Sequence, residues 1–552
     1  MQEEIKSKLK KILNEEVFLE IPPDPKLGDY AFPCFSLAKK FRKNPNEIAF
    51  DLSKKIKGKF RVEVNGAYLN FFIDKGELSK KVIIKILKEK ESYGKRKNKK
   101  NILIEYPSPN TNKPLHLGHV RNIALGNSLS NLLEFIGNNV KKVNLNNDRG
   151  IHICKSMLAY KKFGNNKKPD KKSDHFVGDF YVLFEKELQK NKELENEAYE
   201  LLKNWENNEK ETINLWKKMN KWALNGFNET YNIFNLKFDK IYNESAFYNK
   251  GKVIIDKGLK KGLFKKGENN EVFVDLGEEL GKKVLLRPDG TSVYITQDLY
   301  LAELKFKDFP KTDLSIYVVA NEQNYHFKVL FKILEFLNLK AAKKSYHLSY
   351  GYVSLPEGRM KSREGTVVDA DDLVEEIVNL AKKEIEKRYS NLSKKEIERR
   401  ANIIGLGAII FFILKIDPFK DMIFHPEKSI SFEGDTGPYV QYSYARCSSI
   451  LRNGKVKGKS NYNLFNDYDI ELVKLLEKFP DIVNKATQKY KPSLVANYLL
   501  ELSRKFSEFY DRNPVLKEEN NLRNARLNLI KSISVILKSG LNLLNIKTLE
   551  EM

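Results

Sequence analysis

The stretch Glu105-Tyr-Pro-Ser108-Pro-Asn110-Thr-Asn-Lys113-Pro-Leu-His116-Leu-Gly118-His119 limits what this chain can fold into more than any other. Apolar residues 102–104 read as a short buried strand, and Pro107 and Pro109 stop it. Residues 116–135 then read as a helix, with Leu117, Val120, Ile123, Ala124, Leu129, Leu132 and Leu133 as its apolar positions and Gly137 placed to end it. Two histidines one turn apart therefore stand where a helix opens after a strand. A helix start carries unpaired N–H groups and a positive dipole end, which suits a phosphate. Gly118 leaves room for a nucleotide to lie against the backbone. Taken alone, His-x-x-His also fits a metal pair or two surface residues, so its neighbours have to decide.

Those neighbours continue the pattern. A second strand is expected over 140–145, followed by the polar turn Asn146-Asn-Asp148-Arg149-Gly150. Strand, helix, strand opens a Rossmann-type, doubly wound parallel sheet with its ligand at the strand carboxyl ends. Residues 151–285 read as a helical, charged insertion anchored by Trp205, Trp216 and Trp222. The sheet resumes with a helix from 294 to 306, a strand over 314–320, a helix over 327–337 and a strand over 346–353. Residues 371–420 are helical, and from 435 onward long amphipathic helices follow without a strand.

Ahead of the sheet, residues 1–95 read as a small α+β unit with helices over 5–13, 31–41 and 45–56 and strands over 60–64 and 68–73. The fold class is thus α/β, in four parts. Residues 1–95 form an N-terminal unit, and 96–345 the parallel sheet with the insertion at 151–285. Residues 346–434 follow, and 435–552 form a helical C-terminal domain. A chain of 552 residues is too long for one core, which agrees with this division.

Lys and Arg total 98 against 73 Asp and Glu, a net charge of +25 that suits a polyanion such as RNA. The excess is spread along the chain, so it also fits a general preference for lysine. Cys34, Cys154 and Cys447 are too far apart for a disulfide framework or a zinc site, and His152 with Cys154 supplies too few ligands. No structural metal is expected. No apolar run reaches membrane length and none forms a leader, so no membrane association and a cytoplasmic location are expected. Residues 277–283 have the wrong spacing for a Walker phosphate loop.

The 105–119 stretch resembles the HIGH signature of class I aminoacyl-tRNA synthetases, and other segments narrow the likeness to the arginyl-tRNA synthetases. Leu27-Gly-Asp29-Tyr30, Leu37-Ala-Lys39 and Val64-Asn-Gly-Ala-Tyr68-Leu-Asn70-Phe-Phe resemble that family's N-terminal additional domain. Asp435-Thr-Gly437-Pro-Tyr439-Val-Gln441-Tyr442-Ser-Tyr444-Ala-Arg446 and Asn524-Ala-Arg526-Leu527 resemble its anticodon domain, the second in altered form. The resemblance implies that His116 and His119, with Gly118, stabilise the ATP α-phosphate as an amino-acid carboxylate attacks it. It implies that Tyr294, Asp298 and Gln323 hold the substrate side chain, and that Glu105, Ser108 and Asn110 hold its amino and carboxylate end. Tyr294 and Asp298 are four apart, one helical turn, and a carboxylate matches the guanidinium fork as it cannot match an ammonium. It further implies that Asn65, Tyr68 and Asn70 contact the tRNA elbow and that Tyr439 and Arg446 contact anticodon bases.

Gly358-Arg-Met360-Lys361-Ser362-Arg-Glu-Gly365-Thr resembles the second class I signature, Lys-Met-Ser-Lys-Ser, with Met360 and Ser362 as ATP contacts. Here Ser362 stands where the decisive lysine is expected. Arginyl enzymes that lack this lysine commonly carry one just before HIGH, so Lys113 is expected to supply the charge, with Lys361 as the alternative. The reaction implied joins L-arginine to tRNA(Arg) through arginyl-adenylate, using ATP with Mg2+, in a monomer.

Overall fold

The computed structural model describes residues 2–58, 60–356 and 368–552. In the N-terminal unit, strands β1 (Tyr30–Pro33), β2 (Phe60–Asn65) and β3 (Tyr68–Ile73) form an antiparallel sheet in the order β1-β3-β2. One expectation needs correcting here. The helix read over 31–41 begins as β1, which pairs with β3, and only Ala38–Phe41 is α-helical. Ala31 and Phe32 are buried at the sheet, so tertiary pairing overrides local helix preference.

An amphipathic helix absent from the sequence reading, Lys75–Glu89, joins this unit to the rest of the chain. Asp74 caps it, accepting from the Glu77 N–H at 2.7 Å, and Leu78, Val82, Ile83 and Ile86 face the core. The unit docks on the C-terminal helices through ion pairs: Asp29 to Lys474 at 2.6 Å and Lys75 to Asp467 at 2.8 Å.

Next in the chain come β4 (Asn101–Glu105), the helix Leu117–Phe135, β5 (Asn139–Asn146) and, after four helices, β6 (Lys240–Asn243). A separate antiparallel sheet follows, made of β7 (Lys265–Lys266), β8 (Val272–Asp275) and β9 (Lys282–Leu286). The helix Tyr294–Asp308, β10 (Leu314–Ala320), the helix Asn324–Phe336 and β11 (Ser345–Tyr350) complete the main sheet. Its five strands are all parallel, in the order β11-β10-β4-β5-β6. The stretch read as purely helical between 151 and 285 therefore contains β6, an edge strand of the main sheet, and three antiparallel strands.

The chain runs outward from β4 through β5 and β6, then returns to place β10 on the other side of β4. That reversal makes the carboxyl ends of β4 and β10 the switch point, where such sheets bind ligands. The helix Leu117–Phe135 is buried on nearly every side because it is covered twice, by the sheet and by the C-terminal helices, and it carries buried polar residues among its apolar ones. Ser128 Oγ donates to the Leu543 carbonyl at 3.0 Å and Asn131 Nδ2 to that of Asn542 at 3.0 Å.

Beyond β11, β12 (Val353–Ser354) pairs in parallel with β13 (Met422–Ile423), so the strand expected over 346–353 is split at Gly351. The C-terminal helices include Gly437–Asn453, Asp467–Gln488, Ser493–Arg512 and Asn520–Leu543. Arg526 is buried among them and donates to Asp469, Asn513 and Glu518, so it ties the bundle together.

Candidate active site

His116 is the N-cap of the Leu117–Phe135 helix, in extended conformation. Its Nδ1 accepts the Gly118 N–H at 3.1 Å, and His119 Nδ1 accepts the His116 N–H at 3.1 Å. The two imidazoles thus form a reciprocal cap, with ring centroids 4.0 Å apart. Because each Nδ1 accepts, the proton of each neutral ring is assigned to Nε2, on the side away from the backbone. Burial pushes His116 down to about 4, assisted by the charge of Lys113. Burial, then His116 and Lys113, hold His119 well below the ordinary histidine value. At neutral pH both rings are uncharged Nε2–H donors. A Cβ at Gly118 would lie 2.8 Å from His116 Cε1, so this glycine makes space for the His116 ring.

The loop between β4 and this helix is held by asparagines. Ser108 is in the left-handed region, with φ of 55°. Its N–H donates to Asn144 Oδ1 and its carbonyl accepts from Asn147 Nδ2, each at 3.0 Å. Asn144 donates in turn to Asn146 at 2.8 Å, and Asn146 to Asn243 at 2.9 Å. The loop is thereby registered against the ends of β5 and β6.

A cleft of about 390 Å³ opens beside this loop. Asn110, Tyr294, Asp298 and Gln323, all anticipated from sequence, line it. Tyr294 and Asp298 come from the first two turns of the Tyr294–Asp308 helix, and Gln323 from the turn after β10. Asp298 Oδ2 lies 2.7 Å from His326 Nε2.

The sequence reading missed Asn147, Arg149, His152, Glu244, Gln297 and His326, which also line the cleft. Glu244 follows β6 directly. Asp148 fixes that turn by accepting from the Ser245 N–H at 2.8 Å and its Oγ at 2.7 Å. Burial pushes the Glu244 carboxyl up to about 8; Arg149 opposes this, and Asp298 and Asp148 reinforce it. Arg149 lies over the Tyr248 ring at 4.3 Å and pairs with Glu206.

Glu105 and Ser108 are not part of the cleft lining. Glu105 is buried and accepts from Lys305 Nζ at 2.6 Å, and that ammonium lies 3.7 Å from the centre of the Tyr317 ring. Its carboxylate is thus engaged by a buried cation in this structure. Ser108 shapes the loop through its backbone.

Met360, Lys361 and Ser362 lie outside the described residues. The chain just downstream of them is fixed against the histidine turn. Leu117 N–H donates to the Val368 carbonyl at 3.1 Å, and Ala370 N–H to that of Leu115 at 2.8 Å. Lys113, half-buried just upstream, is near enough to both imidazoles to influence their protonation. Among the described residues, Asp174, His175 and Asp371 can converge on a cation. Lys172 Nζ already stands 2.9 Å from Asp174 and 2.8 Å from Asp371, so an ammonium meets that charge.

The two expected RNA faces lie on other elements. Asn65 pairs with Tyr68 across β2 and β3, and Asn70 shares the Tyr68 face of β3. Asn70 is buried, while Tyr68 meets the half-exposed Phe35 edge-to-face at 5.4 Å. Arg61, opposite Phe72 on the same face, lies 4.4 Å from that ring's centre. In the C-terminal domain, Tyr439 opens the Gly437–Asn453 helix after the Thr436 cap. Arg446 is held between the rings of Tyr442 at 4.9 Å and Tyr510 at 4.7 Å.

A sequence model described as "tRNA synthetases class I (R), catalytic domain" matches residues 82–425. The chain belongs to the class I arginyl-tRNA synthetases. Models described as "Arginyl tRNA synthetase N terminal domain" and "DALR anticodon binding domain" match residues 1–73 and 440–552. The arginine–tRNA ligase of Treponema denticola is 49% identical, over 98% of this chain and 96% of that protein. The Thermus thermophilus arginyl-tRNA synthetase structure superposes with a TM-score of 0.84 at 27% identity, covering 100% of this chain and 99% of that one. The Plasmodium falciparum arginyl-tRNA synthetase shares the fold, with a TM-score of 0.79 at 22% identity and the same coverage. No helix among the described residues is long and apolar enough to cross a membrane.

Proposed function

We propose that the cleft at the ends of β4 and β10 takes L-arginine and that the His116–His119 turn beside it takes the phosphates of ATP. The chain is an arginine–tRNA ligase: arginine and ATP give arginyl-adenylate and pyrophosphate, and the arginyl group then passes to tRNA with release of AMP. ATP enters as its Mg2+ complex.

Two carboxylates serve the guanidinium. Asp298 keeps Oδ1 available while His326 holds Oδ2, and Glu244 approaches from the β6 side. The planar fork of arginine satisfies both; a lysine ammonium would leave one oxygen pair unmatched. A site that leaves buried polar groups unpaired with the wrong substrate rejects it by roughly 10⁴–10⁵. Tyr294 and Gln323 flank the side chain, while Asn110 faces the main-chain end.

The arginine carboxylate, already ionised, attacks the α-phosphorus; a new P–O bond forms and the bond to pyrophosphate breaks. His116 and His119 supply neutral Nε2–H donors to the oxygens that gain charge, fixed in place by their reciprocal cap. Lys113 carries the cation that the second signature lacks at Ser362. The terminal tRNA hydroxyl then attacks the arginyl carbonyl carbon, and the bond to AMP breaks.

The RNA lies along one chain from the β2–β3 face, through Asn65, Tyr68 and their aromatic neighbours, to Tyr439 and Arg446, where unpaired bases stack. The working division of the chain is 1–95, 96–345, 346–434 and 435–552. The enzyme acts as a monomer in the cytoplasm, a reducing compartment that suits its three buried free thiols.

The convergence of Tyr294, Asp298, Gln323 and Asn110 on one cleft carries this reading. Aminoacylation of total tRNA with each amino acid in turn tests it. Arginine alone is expected to be esterified, and efficient charging with any other amino acid overturns it.

A further inference from the structure

Arg121 lies two residues beyond His119, on the same helix, and is 1% exposed. Among the described residues no carboxylate hydrogen-bonds to its guanidinium, and Asp421 acts on it only through its charge. It donates to three main-chain carbonyls: Tyr352 at 2.5 Å, Lys420 at 2.7 Å and Pro418 at 3.2 Å. These carbonyls belong to the two short segments that lead into β12 and β13. The same segments are laced together by Tyr352 N–H to Asp421 Oδ1 at 2.7 Å, Met422 N–H to the Tyr352 carbonyl at 2.8 Å and Gly351 N–H to the Pro418 carbonyl at 2.9 Å. β12 is the last paired element before residues 357–367. After them, Val368 and Ala370 bond to Leu117 and Leu115. The first turn and a half of one helix therefore holds the chain on both sides of the second signature, by backbone on the downstream side and by Arg121 on the upstream side.

A buried guanidinium whose hydrogen bonds all go to main-chain carbonyls is a costly way to fill space, and an apolar side chain of equal volume would usually serve stability as well. Among the described residues its Nε has no partner at all. What the guanidinium supplies is geometry: three donor directions in one rigid plane, which fix two separate strands relative to the histidines.

We propose that Arg121 is a positioning residue for the ATP half of the reaction, seating the β12–β13 pair on the His116–His119 helix. It touches neither substrate. This inference rests on the assignment of ATP to the histidine turn and the second signature.

The test is arginine- and tRNA-dependent ATP–pyrophosphate exchange, with direct measurement of arginine binding, on Arg121→Lys and Arg121→Met. Gly351→Ala displaces the same strands by another route, since its Cβ would lie 2.4 Å from the Lys420 carbonyl carbon. The expected result in all three is a loss of kcat/KM for ATP of about tenfold or more, with arginine affinity unchanged within about twofold. Arg121→Lys, which keeps the charge but loses the fork, should be no better than Arg121→Met. ATP and arginine parameters falling together, an unchanged kcat/KM for ATP, or failure of all three variants to fold would each overturn the proposal. A wild-type enzyme that does not charge tRNA with arginine would instead overturn the functional reading beneath it.

Discussion

His326 Nε2 stands 2.7 Å from Asp298 Oδ2 in the candidate cleft. Burial works to lower the His326 pKa, but the hydrogen bond and charge of Asp298 outweigh it and hold the imidazole above its ordinary value. The histidine thus aims one carboxylate oxygen and leaves the other for substrate. Asp298→Asn keeps the shape and removes the charge; kcat/KM for arginine should fall about 10²-fold, and KM for ATP should stay put. Both partners are partly exposed, so the pair itself should contribute less than about 1 kcal/mol to stability. Unchanged arginine kinetics in a folded Asp298→Asn enzyme would remove Asp298 from the pocket's chemistry.

Glu244 should make arginine capture sensitive to pH. With its carboxyl raised to about 8 by burial, it is largely protonated at pH 7, and an arriving guanidinium favours the ionised form. Binding should therefore release a proton, and arginine affinity should rise by up to about tenfold per pH unit towards pH 8, then level off. Calorimetry in buffers of different ionisation enthalpy reads the proton directly, and Glu244→Gln should abolish that release.

The same shift makes a stability statement. The folded-state value lies above the ordinary 4.5, so the fold prefers the protonated form. That contribution is complete at low pH and disappears as pH climbs through about 8. Glu244→Gln should accordingly be the more stable enzyme above pH 8, by up to a few kcal/mol, while binding arginine less well. A wild type that is more stable than Glu244→Gln at pH 9 would contradict the burial of an uncompensated carboxyl.

How far the sequence could be read depends on where each signal resides. β4 was legible because residues 102–104 are a closed apolar run, and Tyr294 with Asp298 because helical spacing alone puts them on one face. β6 was not. As an edge strand only Lys240–Asn243 long, with one buried residue, it carries no periodic signature, and with it went Glu244. The Lys75–Glu89 helix is legible by the same rules, through the Asp74 cap and the spacing of Leu78, Val82, Ile83 and Ile86. The partner of Glu105 lies 200 residues away, beyond the reach of any local pattern.

Glu105 separates a structural role from a binding one. Glu105→Gln leaves the Lys305 ammonium buried without its counter-charge, a change that typically costs about 3–5 kcal/mol. The thermal midpoint should fall accordingly. Once folded, the variant should show an arginine KM within about twofold of wild type, because Glu105 is engaged by Lys305 and is not among the residues lining the cleft. A large rise in arginine KM with little loss of stability would restore Glu105 as a ligand of the substrate.

Gly118 offers a test of the histidine pair that leaves both histidines in the chain. Alanine is the better helix former, so Gly118→Ala should favour the helix by about 0.5–1 kcal/mol on propensity alone. Its Cβ, however, would stand 2.8 Å from His116 Cε1 and 2.9 Å from Nδ1, which forces the ring out of its cap. The Nε2–H donor then misses the developing phosphate charge. Adenylate formation should drop roughly 10²–10³-fold, as for His116→Ala, in a protein of undiminished helicity. Nitrogen chemical shifts of the wild-type rings at pH 7 should report neutral Nε2–H tautomers for both residues, since burial places His116 at about 4 and His119 well below its ordinary value. A protonated ring at that pH, or a Gly118→Ala enzyme of full activity, would mean that the reciprocal cap does not set the donors.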